Sequence, residues 1–141
     1  FDDTLNFELG KAIKIKDGKD VTLIASGIMV ARAIEAAELL KEDGISARVV
    51  NIHTWKPIDK DAIIKCAKET GAIVTCENHN VCNGLGSAVA EAVCQNSPVP
   101  MRLVGVKDEF GQVGKNAYLS EQYHITTQDI VEAAREVVKN K

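Results

Sequence analysis

No apolar run in this chain approaches the roughly 20 residues a bilayer-spanning helix needs, so the sequence offers no transmembrane segment. No charged-then-apolar signal segment opens it either. Positive charge is in short supply. Seventeen Lys and Arg stand against twenty Asp and Glu, a net charge of −3, which leaves no basic field to gather nucleic acid or an anionic membrane surface. Cysteine is sparse as well. Cys66, Cys76, Cys82 and Cys94 form no dense disulfide framework, so reduced thiols and a cytoplasmic location are expected. There is no internal repeat, low-complexity tract or linker, and 141 residues suffice for one hydrophobic core. A single domain over residues 1–141 follows. Its opening, FDDTLNFEL, has no initiator Met, and the expectation is a fragment of a longer chain.

What is present is a repeated alternation. The apolar runs Val21–Ala25, Ala47–Ile52, Ala72–Cys76 and Met101–Val106 have the composition of strands buried on both faces. Between them lie helical patterns. Val30, Ala33, Ile34, Ala37 and Leu40 form one stripe, stopped by Gly44. Asp59 is an expected N-cap for the next helix, with Ile58 positioned to staple onto Ile63, and Gly71 ends it. A third helix is expected from about Ser87 to Gln95, with Pro98 and Pro100 breaking the chain beyond it. The last helix opens on the Thr126–Asp129 capping box and carries Ile130, Ala133, Ala134, Val137 and Val138 on one face. Strands alternating with helices require a parallel sheet covered on both faces. The turn signal Asp17-Gly18 adds an expected hairpin, with an antiparallel strand Ala12–Ile15 beside the first parallel one. Residues 108–124 show only a short turn pattern around Ala117–Gln122.

Ligands of such sheets sit beyond the carboxyl ends of the strands. Those ends fall at Ser26-Gly27, His53-Thr54, Glu77–Asn80 and Lys107-Asp108. At ASGIMVA only Gly27 is present where a dinucleotide fingerprint needs three glycines, and no acidic residue closes the second strand. The stretch Asn83-Gly84-Leu85-Gly86-Ser87 opens a helix whose free N–H groups could hold an anion. Glycines needed for a tight turn and close packing explain the same letters, and that reading is preferred. Cys76, His79 and Cys82, with Cys94 or His53, have zinc-like spacing, but the paired Cys-x2-Cys knuckle is missing and Cys76 lies inside an apolar run. Cys82 beside His79, or Ser26 or Ser87 near a histidine, would need an oriented base to act as a nucleophile. No catalytic, cofactor-binding or metal-binding residue is therefore assigned. The candidate ligand pocket comprises Ser26, Gly27, Glu77, His79, Asn80, Gly84, Gly86 and Ser87.

Three segments, taken in order, resemble one family. They are VTLIASGIMVARAIEAAELLKEDGISARVVNIHTWKPID, AIVTCENHNVCNGLGSAVAE and PVPMRLVGVKDEFGQVG. Together they are similar to the C-terminal domain of transketolase, above all the bacterial and archaeal form divided between two polypeptides. Asn78, Asn83 and Val113 stand where the family usually has an acidic residue, a glycine and a serine. The resemblance implies a three-layer α/β/α domain with a five-stranded, mixed and mostly parallel sheet. It implies a parent enzyme that moves two-carbon ketol units between sugar phosphates, using thiamine diphosphate and Mg2+. Those cofactors belong to a diphosphate-binding and a pyrimidine-binding domain. This chain has no Gly-Asp-Gly…Asn stretch to hold them. On that basis it is expected to be inactive alone and to support a homodimer in the full enzyme. The corresponding domain of 1-deoxyxylulose-5-phosphate synthase is the near alternative, with the His79-Asn80 and KDEFG forms favouring transketolase. A small-anion-binding regulatory module is the other alternative.

Overall fold

The computed structural model describes residues 6–141. The expectation about the chain's opening falls partly on residues 1–5 and so lies outside the described residues. Five strands form the sheet: β1 (Ile13–Lys16), β2 (Val21–Ala25), β3 (Ala47–Asn51), β4 (Ile73–Asn80) and β5 (Met101–Val106). The helices are α1 (Met29–Glu42), α2 (Lys60–Thr70), α3 (Leu85–Asn96), α4 (Asn116–Gln122) and α5 (Thr127–Lys139). The strand order is β1-β3-β2-β4-β5, parallel throughout except for β1.

Two apolar layers flank the sheet because successive strand residues face opposite sides. Leu23, Val49, Val74 and Cys76 pack with α1 and α5 on one face. Ile24, Val50 and Ile73 pack with α2 and α3 on the other. This is the expected three-layer α/β/α arrangement. The helix ends follow the local signals. The Asp59 side chain accepts from the Ala62 N–H, Gly71 takes a left-handed conformation, and Thr126 and Asp129 close a reciprocal capping box. Ile63 is buried in the second layer and Ile58 packs against it.

The expected β1–β2 hairpin is corrected. β1 is antiparallel, but its neighbour is β3, with Ile13 opposite Asn51 and Lys14 opposite Val50. The Asp17–Asp20 segment crosses the start of β3 instead of turning back beside β1. The Lys19 and Asp20 N–H groups both donate to the Ser46 carbonyl, at 3.0 and 2.9 Å. Gly18 lies so close to the backbone of Ala47 and Arg48 that a Cβ would overlap it. Arg48 ties the crossing down from β3 through Asp17, at 3.1 Å, and pairs with Glu69 of α2. Among the described residues no helix is long and apolar enough to cross a membrane.

Candidate functional site

β4 places the central residue of the site. Ile73, Thr75 and Glu77 alternate onto the face covered by α3, while Val74 and Cys76 face the opposite layer. Glu77 is therefore carried into the interior at the strand's carboxyl end, with no exposed surface. Its two oxygens accept from the first free N–H groups of α3, Leu85 N–H to Oε2 and Gly86 N–H to Oε1, each at 2.8 Å. The helix start thus has its anion, and the anion is the chain's own carboxylate. Burial pushes the Glu77 carboxyl above its ordinary range, while the Gly86 and Leu85 N–H groups and nearby His79 pull the other way.

Three glycines let the chain close tightly around Glu77, and Gly84 is the one that makes room for the carboxylate itself. A Cβ on Gly84 would overlap the Glu77 carboxylate and come within 2.5 Å of the Asn80 carbonyl. On Gly86 it would meet Leu103 at 2.5 Å and Thr75 Oγ1 at 2.9 Å. On Gly105 it would meet Val81 at 2.7 Å and Glu77 Cγ at 3.0 Å. Gly105 was not among the sequence candidates, although a glycine inside an apolar strand run signals a close approach of this kind.

The remaining candidates separate. Asn80 accepts from the Cys82 N–H at 2.8 Å and donates to Asp108 at 3.1 Å, linking the two strand-end loops. Ser87 closes the turn, donating to the Val81 carbonyl at 2.9 Å and accepting from the Asn83 N–H at 3.0 Å. Asn83 there has a φ of 61°. His79 is exposed, its Nδ1 3.0 Å from the Asn80 carbonyl and its ring edge-on to Trp55 at 6.0 Å. Ser26 is buried, and its N–H donates to the Cys76 carbonyl at 3.3 Å. At Gly27 a Cβ would find only Asn78, at 3.8 Å. The structure thus joins Glu77, Gly84 and Gly86 at one point, places Asn80 and Ser87 in the turn beside them, and sets Ser26 and Gly27 apart at the end of β2. Gly84 and Ser87 also line a groove with Trp55, Lys56, Lys60 and Asn83, a feature that sequence reasoning missed. The groove brings the segment after β3 against the start of α3, about 30 positions away in the chain, and no local signal marks that meeting.

The zinc-like spacing does not become a cluster. Cys76 is buried in the α1 layer, whereas Cys82 and His79 are exposed. Among the described residues no three His, Cys, Asp or Glu side chains are arranged to hold a metal. All four cysteines are free thiols.

Comparison with known proteins places this geometry. The family model described as "Transketolase, C-terminal domain" matches residues 10–130. This chain belongs to the transketolase C-terminal domain family. It is 53% identical over 135 residues to the 6-deoxy-6-sulfo-D-fructose transketolase subunit of Clostridium sp. (strain MSTE9), covering 96% of this chain and 42% of that protein. It is 42% identical over 130 residues to the 1-deoxy-D-xylulose-5-phosphate synthase of Heliobacterium modesticaldum (strain ATCC 51547 / Ice1), covering 92% of this chain and 20% of the other. A solved split-gene transketolase, an inactive beta4 tetramer, superposes with a TM-score of 0.94 at 45% identity, covering 99% of this chain and 46% of its own. This transketolase C-terminal domain therefore spans less than half the length of each of these proteins.

Proposed function

We propose that this domain is the structural and dimer-supporting part of a thiamine diphosphate-dependent transketolase. In this reading the full enzyme moves two-carbon ketol units between sugar phosphates. Thiamine diphosphate with Mg2+ supplies the electron sink for that chemistry. The residues present here do not fit that group. The helix start best suited to a diphosphate is closed by the Glu77 carboxylate, which would repel a second anion. No step of the reaction is therefore assigned to this domain. Its own residues fix a surface: Glu77 and the Gly84–Ser87 turn hold α3 against the sheet, and Asn80 with Asp108 joins two of the loops at its carboxyl end.

The Glu77-closed helix start carries this reading. The partners it implies are the pyrimidine-binding and diphosphate-binding domains, on the same or another polypeptide, in a homodimeric enzyme. The test is reconstitution: the subunit carrying this domain is combined with the diphosphate-binding partner, and ketol transfer between sugar phosphates is followed. Transfer that requires both parts is expected, and transfer by this chain alone would contradict the proposal. A second reading, the equivalent domain of 1-deoxyxylulose-5-phosphate synthase, rests on the 42% identity to that enzyme. Formation of 1-deoxyxylulose 5-phosphate by the reconstituted enzyme, in place of ketol transfer, would favour it.

A further inference from the structure

Of the chain's eight asparagines, only Asn83 is followed by glycine. The pairing matters because an asparagine amide carbon and the next residue's backbone nitrogen can close a five-membered ring. Held one residue apart, the two groups meet at high effective concentration, and a glycine, lacking a Cβ, obstructs their approach least. The structure leaves both groups unengaged. The Asn83 side chain is exposed and has no hydrogen-bond partner among the described residues. The Gly84 N–H donates to none of them either. Gly84 itself is buried against Glu77, but the amide it would meet lines the groove with Trp55 and Lys60.

The two Asp-Gly steps, which allow the same ring closure, are tied down. The Gly18 N–H donates to Asp17 Oδ1 and the Gly44 N–H to the Lys41 carbonyl, each at 3.0 Å. Their carboxylates are ion-paired, Asp17 with Lys14 and Arg48 and Asp43 with Arg135, and an ionised carboxylate has no leaving group to offer. Among the asparagines, Asn80, Asn96 and Asn116 have hydrogen-bonded side chains and are followed by residues that carry a Cβ. Asn51 is buried. Asn83 thus combines an exposed, unbonded amide with an unbonded glycine nitrogen.

We propose that Asn83-Gly84 is a site of spontaneous deamidation and that its isoaspartyl product loosens the start of α3. The Gly84 nitrogen attacks Cγ of Asn83. The N–Cγ bond forms, the Cγ–Nδ2 bond breaks, and the proton from the Gly84 nitrogen leaves with ammonia. Water then opens the cyclic imide. Breaking N–Cγ again leaves an ordinary aspartate, whereas breaking the bond from nitrogen to the main-chain carbonyl carbon leaves isoaspartate, whose main chain runs through Cβ and Cγ. Either product adds a negative charge, and isoaspartate also lengthens the main chain by one atom. No slack is available for that atom. Gly84 backs onto the Glu77 carboxylate and the Asn80 carbonyl so closely that a Cβ would lie 2.1 and 2.5 Å from them. The segment displaced is the one whose next two N–H groups, on Leu85 and Gly86, hold Glu77. The inference concerns this chain's own backbone and is independent of the reaction the full enzyme carries out.

Ageing the purified 141-residue protein at mildly alkaline pH, followed by peptide mapping and enzymatic methylation of isoaspartate, is the test. Asn83 is expected to deamidate at least about tenfold faster than any other asparagine, with isoaspartate among the products and a rate that climbs with pH. Loss at Asn83 no faster than elsewhere would overturn the site. Aspartate without isoaspartate would mean direct hydrolysis by water and rule out attack by the Gly84 nitrogen. The added charge lets anion exchange separate the aged form. Its isoaspartyl fraction should unfold at a Tm at least about 2 °C below that of the unmodified protein. Equal Tm values would contradict the loosening of α3. An Asn83→Gly variant adopts the φ of 61° without strain and has no amide, so ageing should leave both its mass and its Tm unchanged. A matching fall in Tm in that variant would place the damage elsewhere and overturn the proposed link to α3.

Discussion

Glu77 and Gly86 lie nine positions apart in the chain and meet at 2.8 Å, carboxylate to backbone N–H, at the point where β4 hands over to α3. With Leu85 donating to the other oxygen, one buried side chain ends a strand and starts a helix. Replacing Glu77 by Ala leaves two interior N–H groups without acceptors and opens a void beside Gly84 and Gly105. The expected loss is about 2–4 kcal/mol of unfolding free energy. Urea denaturation of the two proteins measures it, and a difference under about 0.5 kcal/mol would show that the contact is not structural.

The same carboxyl gives a pH signature. Burial raises its folded-state pKa, so the fold favours the protonated form relative to the unfolded chain. Its contribution to stability is then full below the ordinary carboxylate pKa and is lost as pH rises through the raised value. The stability gap between wild type and Glu77→Ala should narrow over that rise. A 13C NMR titration of the Glu77 carboxyl should find a midpoint above the usual glutamate value of about 4.3. A midpoint below it would mean that the two N–H donors outweigh burial.

The glycines should rank by what a methyl group would strike. Gly84→Ala meets the Glu77 carboxylate and a backbone carbonyl, neither of which can retreat. Gly86→Ala meets the Leu103 side chain, which can partly repack. Gly111→Ala meets nothing within 4 Å. Thermal unfolding should therefore place Gly84→Ala lowest, Gly86→Ala about 1–3 kcal/mol below wild type, and Gly111→Ala within about 0.5 kcal/mol of it. A neutral Gly84→Ala would contradict the packing around Glu77.

Thiol chemistry separates the cysteines. Cys82 and Cys94 are exposed and should react with an aromatic disulfide reagent in the native protein. Cys66 and Cys76 are buried, and burial beside the Glu77 charge pushes the Cys76 thiol far up. Two thiols should titrate quickly and the other two only after denaturation. Fast labelling of Cys76 would mean that the strand end opens readily.

Much of this fold was legible in the sequence because its signals are local. The four parallel strands are short β-branched runs, and Asp59, Gly71 and the Thr126–Asp129 pair mark helix ends within four residues of the contacts they make. What escaped depends on partners distant in the chain. Asp17-Gly18 signals a turn, but nothing local says that β3 will slip between β1 and β2. The third helix begins at Leu85 and not at Ser87 because its first N–H groups are satisfied from β4. For the same reason Gly84 and Gly86 were legible as turn glycines, while the carboxylate that requires them was visible only as a polar residue at a strand end.

The central claim is that this domain shapes and supports the enzyme while the cofactor is held elsewhere. Isothermal calorimetry of thiamine diphosphate with Mg2+ injected into the 141-residue chain tests it most directly. The account predicts no heat beyond dilution, because the Glu77 carboxylate already occupies the helix start a diphosphate would use. Saturable binding at micromolar cofactor, lost on adding a chelator, would contradict it.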